Sequence, residues 1–286
     1  MSTSSSPGTL RKLATPSLLA LAGVGALGYL RGRLHRDHVY RPDRYPNGVW
    51  QPGGFGLEVE DTWFRTSDGL TLHGWWIPHP KAQGTILYCH GNSGSIAHQI
   101  GVFRFVKRLR VNIFGFDYRG YGRSEGAPSE QGLYRDARAA YDHLTEEIGQ
   151  DPRSIVLFGH SLGGAVAIDC AQDRRIAGLV VQSSFTHLKD AARFSIPSLP
   201  LHLLARRQFD SIDKIRRLSV PKLIIHGSAD ATLPVELAQS LYQAAREPKE
   251  LYVVDGGGHN DLYRHGGLRY LLRLIRFRRR CLAAAA

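Results

Sequence analysis

The sequence has little of what disulfide-linked or metal-binding proteins need. It contains three cysteines, Cys89, Cys170 and Cys281, and neither a CxxC motif nor a Cys/His cluster with the spacing of zinc ligands. Cys89 lies in an apolar run and Cys170 in a helical pattern. We therefore expect buried, reduced thiols and no metal site.

The chain also lacks a charge excess in its middle. Residues 45–263 carry 23 basic and 23 acidic residues, so the two ends hold the whole net charge of +12. A domain that binds nucleic acid usually presents a basic face of its own. Basic ends favour an anionic membrane surface instead, and nucleic acid is not expected as a partner.

One long uncharged run is present, at residues 14–30, with basic residues on both sides. At 17 residues it reaches the lower limit for a single-pass transmembrane anchor, which is the interpretation we favour. The larger number of basic residues after the run favours an orientation with the rest of the chain on the cytoplasmic side. A signal peptide cleaved near Ala20-Leu21-Ala22, giving a secreted or periplasmic protein, is the alternative, and a buried soluble helix is the third.

Beyond residue 56 the chain alternates short apolar runs with helical patterns. This alternation predicts one α/β domain over residues 57–286, after an anchor and linker over residues 1–56. Strands are expected at 58–65, 70–77, 85–89, 111–117, 154–158, 177–182, 222–226 and 250–254, and helices at 96–109, 129–147, 162–172, 235–246 and 261–278. The first two strands form a hairpin, and all eight together build one mostly parallel sheet with helices on both faces.

The strongest functional motif is Gly159-His160-Ser161-Leu162-Gly163, which matches G-x-S-x-G. It follows a predicted strand and opens a predicted helix, the setting of a nucleophile elbow. The glycines leave room for a strained turn that exposes the Ser161 hydroxyl. The motif alone is a weak pattern, and a structural Gly-rich turn is the alternative.

A serine nucleophile needs a base and an acid that orients the base. Asp230 follows the strand at 222–226, and His259 follows the strand at 250–254 in a Gly-rich loop. Both lie at carboxyl ends of parallel strands, where α/β sheets bind ligands. The competing candidates, which we rank lower, are Asp255 and Asp261 for the acid and His226 and His265 for the base.

An oxyanion hole would take one backbone N–H from Leu162, directly after the nucleophile. The second N–H is expected from the loop after the strand at 85–89, His90-Gly91-Asn92-Ser93-Gly94. We assign it to Asn92, with Ser93 as the alternative, while a plain Gly-rich turn remains possible.

The five motifs together resemble the alpha/beta-hydrolase superfamily. They are His90-Gly91-Asn92, the stretch from Phe116 to Ser124, Gly159 to Gly164, His226 to Asp230, and Gly258-His259. With the N-terminal anchor, the chain looks most like the membrane-anchored group containing alpha/beta-hydrolase domain-containing protein 13 and its bacterial relatives. The resemblance implies a triad of Ser161, Asp230 and His259, no metal and no organic cofactor. It also implies that Asp117 and Arg119 support the fold.

The expected reaction is acyl transfer from an ester or thioester through an acyl-enzyme, on a small-molecule or lipid-like acyl substrate. A serine peptidase on the same triad and a catalytically silent membrane-bound binding protein are the alternatives. Residues 185–217 combine apolar residues, prolines and arginines, and could form a lid over an acyl pocket. They could equally form a helix packed on the sheet.

Overall fold

The computed structural model describes residues 39–195 and 208–285. The predicted membrane anchor at residues 14–30 lies outside the described residues, as does the middle of the predicted lid. In the described part of the chain, no helix has the length and apolar character needed to cross a membrane.

An eight-stranded sheet forms the centre of the molecule, as the alternating pattern predicts. Its strands are β1 (Glu60–Arg65), β2 (Thr71–Ile77), β3 (Thr85–Cys89), β4 (Asn112–Phe116), β5 (Ile155–His160), β6 (Gly178–Gln182), β7 (Lys222–Gly227) and β8 (Lys249–Val254). They are ordered β8-β7-β6-β5-β3-β4-β2-β1. Antiparallel pairing is confined to β1 with β2 and β2 with β4, and the other pairs are parallel. The carboxyl ends of β3 and β5–β8 therefore meet at one edge.

Helices cover both faces of this sheet. They are α1 (Ile100–Lys107), α2 (Glu130–Glu146), α3 (Leu162–Cys170), α4 (Leu188–Ser195), α5 (Ser211–Ile215), α6 (Val235–Ala244) and α7 (Leu262–Ala285). The apolar side chains of α1 and α7 belong to one core cluster, and those of α2, α3 and α6 belong to the other. Central strands such as β3, in which all five residues are buried, are enclosed by both clusters.

Two helices depart from the sequence prediction. The helix expected over 96–109 is divided into a 3₁₀ turn at Ile96–His98 and the shorter α1, because the backbone of Gln99 between them (φ −96°, ψ 10°) is not α-helical. The last helix bends at Gly267, whose φ of 47° is non-helical, and continues past residue 278. Burial of Cys281 extends its packing against the sheet.

The segment before β1, which the sequence pattern assigns to a linker, packs onto the domain from Val39 onward. Val39 and Tyr40 are buried in the core. Arg41–Pro42 forms a short parallel ladder with Ser93–Gly94, in the loop after β3. The lead-in is therefore fixed beside the loop that the sequence analysis assigns to the oxyanion hole.

The stretch after β4 supports the fold, as the resemblance implies. The Arg119 guanidinium donates to Asp136 (2.8 Å) and to Asp68 (2.8 Å), which ties the β1–β2 turn to α2. Asp117 is fully buried and holds the Ile96 N–H. Both side chains lack exposure to the cavity described below.

Candidate active site

Ser161 stands on a sharp turn between β5 and α3. Its φ of 53° and ψ of −118° lie in a region that L-residues rarely occupy. The Ser161 N–H donates to the Gln182 carbonyl (2.8 Å), and the Ser184 hydroxyl donates to the Ser161 carbonyl (2.8 Å). These bonds hold the strained backbone to the end of β6, as a nucleophile elbow requires.

The neighbouring glycines are needed because backbone passes too close for a side chain. A Cβ at Gly159 would lie 2.2 Å from the Gly163 carbonyl oxygen, and a Cβ at Gly163 would lie 2.0 Å from the Cys89 carbonyl oxygen. The first of these backbone atoms cannot move aside without displacing α3, and the second cannot without displacing β3. The G-x-S-x-G spacing therefore follows from the contact between the turn, α3 and the end of β3.

The structure brings together Ser161, His259 and Asp230, which the sequence places far apart. His259 Nε2 lies 3.0 Å from Ser161 Oγ, and His259 Nδ1 lies 2.7 Å from Asp230 Oδ2. A carboxylate only accepts, so Nδ1 bears the proton and Nε2 is free to accept from the serine hydroxyl. The three side chains form one continuous hydrogen-bond chain, and Ser161 and the Asp230 carboxylate are both buried.

The lower-ranked candidates lie elsewhere. Asp255 is exposed and accepts from the Ser228 hydroxyl (3.3 Å). Asp261 accepts from the Gly258 N–H (2.7 Å) and pairs with the exposed His265. Neither carboxylate bonds to the imidazole of His259, so both act within the loop that carries it.

Asp230 is held on both of its oxygens. Oδ1 accepts from the N–H groups of Thr232 and Leu233 (2.9 Å each) and Oδ2 accepts from His259. Oδ2 also lies 3.2 Å from His226 Nε2, whose N–H is shared with the Leu233 carbonyl (2.9 Å). Burial opposes ionisation of this carboxyl group, but the hydrogen bonds from His226 and His259 outweigh it, so the pKa of Asp230 lies well below its ordinary value. His226, which sequence reasoning considered only as a competing base, supports the acid.

The loop carrying Asn92 is fixed by contacts from three directions. The Asn92 carbonyl accepts from the Arg41 N–H (2.9 Å) and the Tyr121 hydroxyl (2.8 Å), and the Asn92 side chain donates to the Val39 carbonyl (3.1 Å). Among the described residues, the N–H groups of Asn92 and Leu162 have no protein acceptor. Both residues line the cavity beside Ser161, so both amides are available to a ligand.

A cavity of about 570 Å³ opens over the serine. Its lining includes apolar residues of one core cluster, Leu162, Phe185, Leu188, Ala191 and Leu233. It also includes polar residues, among them Tyr88, His98, Gln99, Asn260 and Tyr263. The described residues contain no group of three or more side chains arranged to hold a metal ion.

Comparison with known protein sequences shows which family this chain belongs to. Residues 80–208 match a family model described as serine aminopeptidase, S33. The chain is 37% identical over 256 residues to the uncharacterized protein Rv2307c of Mycobacterium tuberculosis, a match covering 88% of this chain and 89% of the relative. It is 35% identical over 247 residues to the alpha/beta hydrolase domain-containing protein WAV2 of Arabidopsis thaliana, covering 79% and 80%. The chain belongs to the alpha/beta-hydrolase family.

Solved structures show the same fold in this alpha/beta hydrolase. The esterase Pf2001 of Pyrococcus furiosus superposes with a TM-score of 0.74 at 22% identity, covering 85% of this chain and 98% of the esterase. An alpha-beta hydrolase from Vibrio vulnificus superposes with a TM-score of 0.72 at 20% identity, covering 96% and 98%. Family and fold together make the protein an enzyme of the hydrolase class.

His160, the variable residue of the motif, has a contact that the sequence does not predict. Its Nε2–H donates to the His259 carbonyl (3.1 Å), which joins the elbow to the loop of the imidazole. Burial first, and the nearby His259 second, lower the pKa of His160 from its ordinary 6.5 to about 4. His160 is therefore neutral in the folded hydrolase at neutral pH.

This neutral, buried histidine predicts a loss of stability in acid. Between pH 6.5 and about 4 the unfolded chain binds a proton at His160 that the folded chain does not. Stability conferred by the neutral form therefore falls as pH decreases through that window, by on the order of 3 kcal/mol at its lower end. We expect His160→Gln, which keeps an N–H donor but cannot titrate, to lose less unfolding free energy than the wild type between pH 7 and 4.5.

Urea unfolding at the two pH values measures this difference. The exposed His265→Gln serves as the control and should follow the wild-type slope. Equal acid losses in the wild type and His160→Gln would show that other groups cause the destabilisation.

Proposed function

We propose that this alpha/beta hydrolase cleaves ester or thioester bonds with Ser161 as nucleophile, His259 as general base and Asp230 as the acid that orients the base. One observation carries the proposal: the chain of hydrogen bonds from Ser161 Oγ to His259 (3.0 Å) and from His259 to Asp230 (2.7 Å). A buried structural network would not need its first hydroxyl on a strained turn facing a cavity. Both distances lie within the range for proton transfer.

The proposed reaction has two steps. His259 Nε2 takes the Ser161 proton while Oγ bonds to the acyl carbon, and the N–H groups of Asn92 and Leu162 donate to the resulting oxyanion. The carbon–oxygen or carbon–sulfur bond then breaks, and His259 gives its proton to the leaving group. Water, deprotonated by His259, attacks the acyl-enzyme and releases the acid and free Ser161.

The shape of the cavity supports an acyl substrate. Four of its lining residues, Leu162, Phe185, Leu188 and Leu233, belong to one apolar cluster; Leu162 directly follows Ser161, and Leu188 begins α4. Burial of a short acyl chain on such residues contributes about 0.8 kcal/mol for each methylene group. We propose that the acyl chain lies against these apolar residues and that the leaving group lies toward the polar residues of the lining.

Covalent labelling tests the nucleophile directly. We expect a fluorophosphonate probe to modify the wild-type enzyme once, with the adduct on the tryptic peptide that contains Ser161 when the peptides are sequenced by mass spectrometry. Ser93, which also lines the cavity and is exposed, provides the matched control, and Ser93→Ala should label as the wild type does. An adduct on another residue, or folded protein that does not react, would refute the assignment; the latter result would favour a catalytically silent binding protein.

A peptidase on the same triad is the second candidate, because the matching family model is described as serine aminopeptidase. Nitrophenyl esters of increasing acyl length, compared with aminoacyl nitroanilides, separate the two reactions. We expect the esters to be hydrolysed with the larger kcat/KM.

The membrane part of the proposal rests on the sequence. An uncharged run at residues 14–30, between basic residues, supports a single-pass anchor with the catalytic domain on the cytoplasmic side. Such an anchor would group the enzyme with alpha/beta-hydrolase domain-containing protein 13 and its bacterial relatives. It would also give the cavity access to lipid-like acyl substrates.

A further inference from the structure

The described lining of the hydrolase's cavity carries no acidic side chain. Of the described side chains that line it, none is Asp or Glu, and Arg41 is the only one that is always charged. The carboxylate of Asp230 lies behind His259 and is fully buried. A substrate with a free ammonium group near its scissile carbonyl would find no ion-pair partner in this part of the site.

The segments outside the described residues contain few carboxylates that could add negative charge to the site. Residues 196–207 contain no Asp or Glu and include two arginines, Arg206 and Arg207. Residues 1–38 contain one carboxylate, Asp37. The segments outside the described residues are therefore basic by composition.

Carboxylates close in sequence to the lining residues are already paired. Asp43 lies 3.6 Å from His98 Nε2, Asp190 lies 3.0 Å from His187 Nδ1, and Asp261 lies 3.2 Å from His265 Nδ1. Each of them contacts a histidine that the cation of a substrate would have to displace.

The backbone of Arg41 is held in place, whereas its guanidinium has no carboxylate partner in the described part of the chain. The Arg41 N–H donates to the Asn92 carbonyl (2.9 Å), and its backbone pairs in register with Ser93. Arg41 is among the residues that line the cavity and is exposed, and no carboxylate of the described residues lies within ion-pair distance of its guanidinium. A fixed backbone with a guanidinium that has no carboxylate partner among the described residues is suited to bind an anion that enters beside the oxyanion loop.

We infer that the hydrolase prefers acyl esters that carry a carboxylate or phosphate group, which Arg41 binds at the mouth of the cavity, and discriminates against substrates with a free amino group. This inference rests on the proposed serine-hydrolase function and deepens it. The shared chemistry is the anionic group, on either the acyl chain or the alcohol. This preference for an anionic group also distinguishes the enzyme from an aminopeptidase, whose substrate presents an ammonium group next to the scissile bond.

The acyl side is tested with three six-carbon esters that differ only in the terminal group: 4-nitrophenyl hexanoate, 4-nitrophenyl hemiadipate and 4-nitrophenyl 6-aminohexanoate, each corrected for spontaneous hydrolysis. We expect the order hemiadipate, hexanoate, aminohexanoate in kcat/KM. Arg41→Gln should lower the hemiadipate value about 3- to 10-fold and leave hexanoate within about twofold. Arg41→Glu should reverse the order of the two charged esters.

The alcohol side is tested with 1-hexanoylglycerol and 1-hexanoylglycerol 3-phosphate, followed by pH-stat titration. A preference for the phosphate ester that Arg41→Gln removes would place the anion on the leaving group. Arg44→Gln is the matched control, because Arg44 lies in the same lead-in and does not line the cavity. The preference should also weaken as salt is raised, since an exposed ion pair is screened.

Several results would overturn the inference. They are a wild-type preference for the aminohexanoate, or equal losses for neutral and anionic esters in Arg41→Gln, or no charge preference on either side. Failure of the function itself is distinguishable, because hexanoate hydrolysis would then survive in Ser161→Ala or be absent from the wild type. Competition with the fluorophosphonate gives a second readout, because monomethyl adipate should protect Ser161 from labelling better than methyl 6-aminohexanoate does. Equal protection by the two esters would contradict the inference.

Discussion

Ser161→Ala is expected to lower kcat for a nitrophenyl ester by about 10⁶-fold, the largest effect of any single change in this enzyme. The substitution removes the only hydroxyl that lies within hydrogen-bond distance of His259 Nε2 among the described residues. His259 and the two backbone amides would remain in place, so residual catalysis would come from the oxyanion hole and binding alone. Steady-state kinetics with active-site titration of the wild type gives the ratio.

The strained turn supplies a control for this result. At a φ of 53° alanine suffers the same backbone strain as serine, whereas glycine does not. Ser161→Gly should therefore be as inactive as Ser161→Ala but more stable, by about 1 kcal/mol in urea unfolding. A rate within tenfold of wild type in either variant would contradict the proposed role of Ser161. Equal stability of the two would show that the turn carries little strain.

Sequence patterns predicted the framework of this site because its parts are locally encoded. Continuous apolar runs such as Ile155–Phe158 are buried on both faces, and each ends at the same edge of a parallel sheet. The residues that follow those runs, Ser161, Asp230 and His259, are therefore brought together by topology rather than by any local signal. Their order along the chain, combined with the rule that ligands bind at the carboxyl ends of strands, is enough to predict that the three residues lie close together.

The supporting contacts could not be predicted in this way, because they join segments that are remote in sequence. His160 and His259 are 99 residues apart, and the bond between them depends on the path of a Gly-rich loop. Val39 and Arg41 lie in a stretch rich in Pro, Gly and aromatic residues that resembles a linker, yet they pair with the loop after β3. His226 had one local signal, its place four residues before the acid, which brings Nε2 to 3.2 Å from Asp230.

Asp230→Asn should lower kcat by about 10⁴-fold with little change in KM. The reason lies in the two oxygens of the carboxylate. Oδ1 accepts from the N–H groups of Thr232 and Leu233, so the amide oxygen of asparagine would take that position and its NH₂ would face His259. His259 Nδ1 would then have to accept, which leaves the proton on Nε2, where it blocks transfer from the Ser161 hydroxyl.

The same arrangement predicts how the defect will appear. Because an amide cannot carry the charge that stabilises the imidazolium, the loss should fall on the chemical step, and fluorophosphonate labelling of Ser161 should slow in proportion to kcat. Asp255→Asn is the matched control and should keep a near-normal rate, since Asp255 flanks the same loop and its carboxylate accepts from Ser228, not from His259, in the described part of the chain. If instead Asp255→Asn were the slow variant and Asp230→Asn the normal one, the carboxylate that orients His259 in solution would not be the one 2.7 Å from its Nδ1.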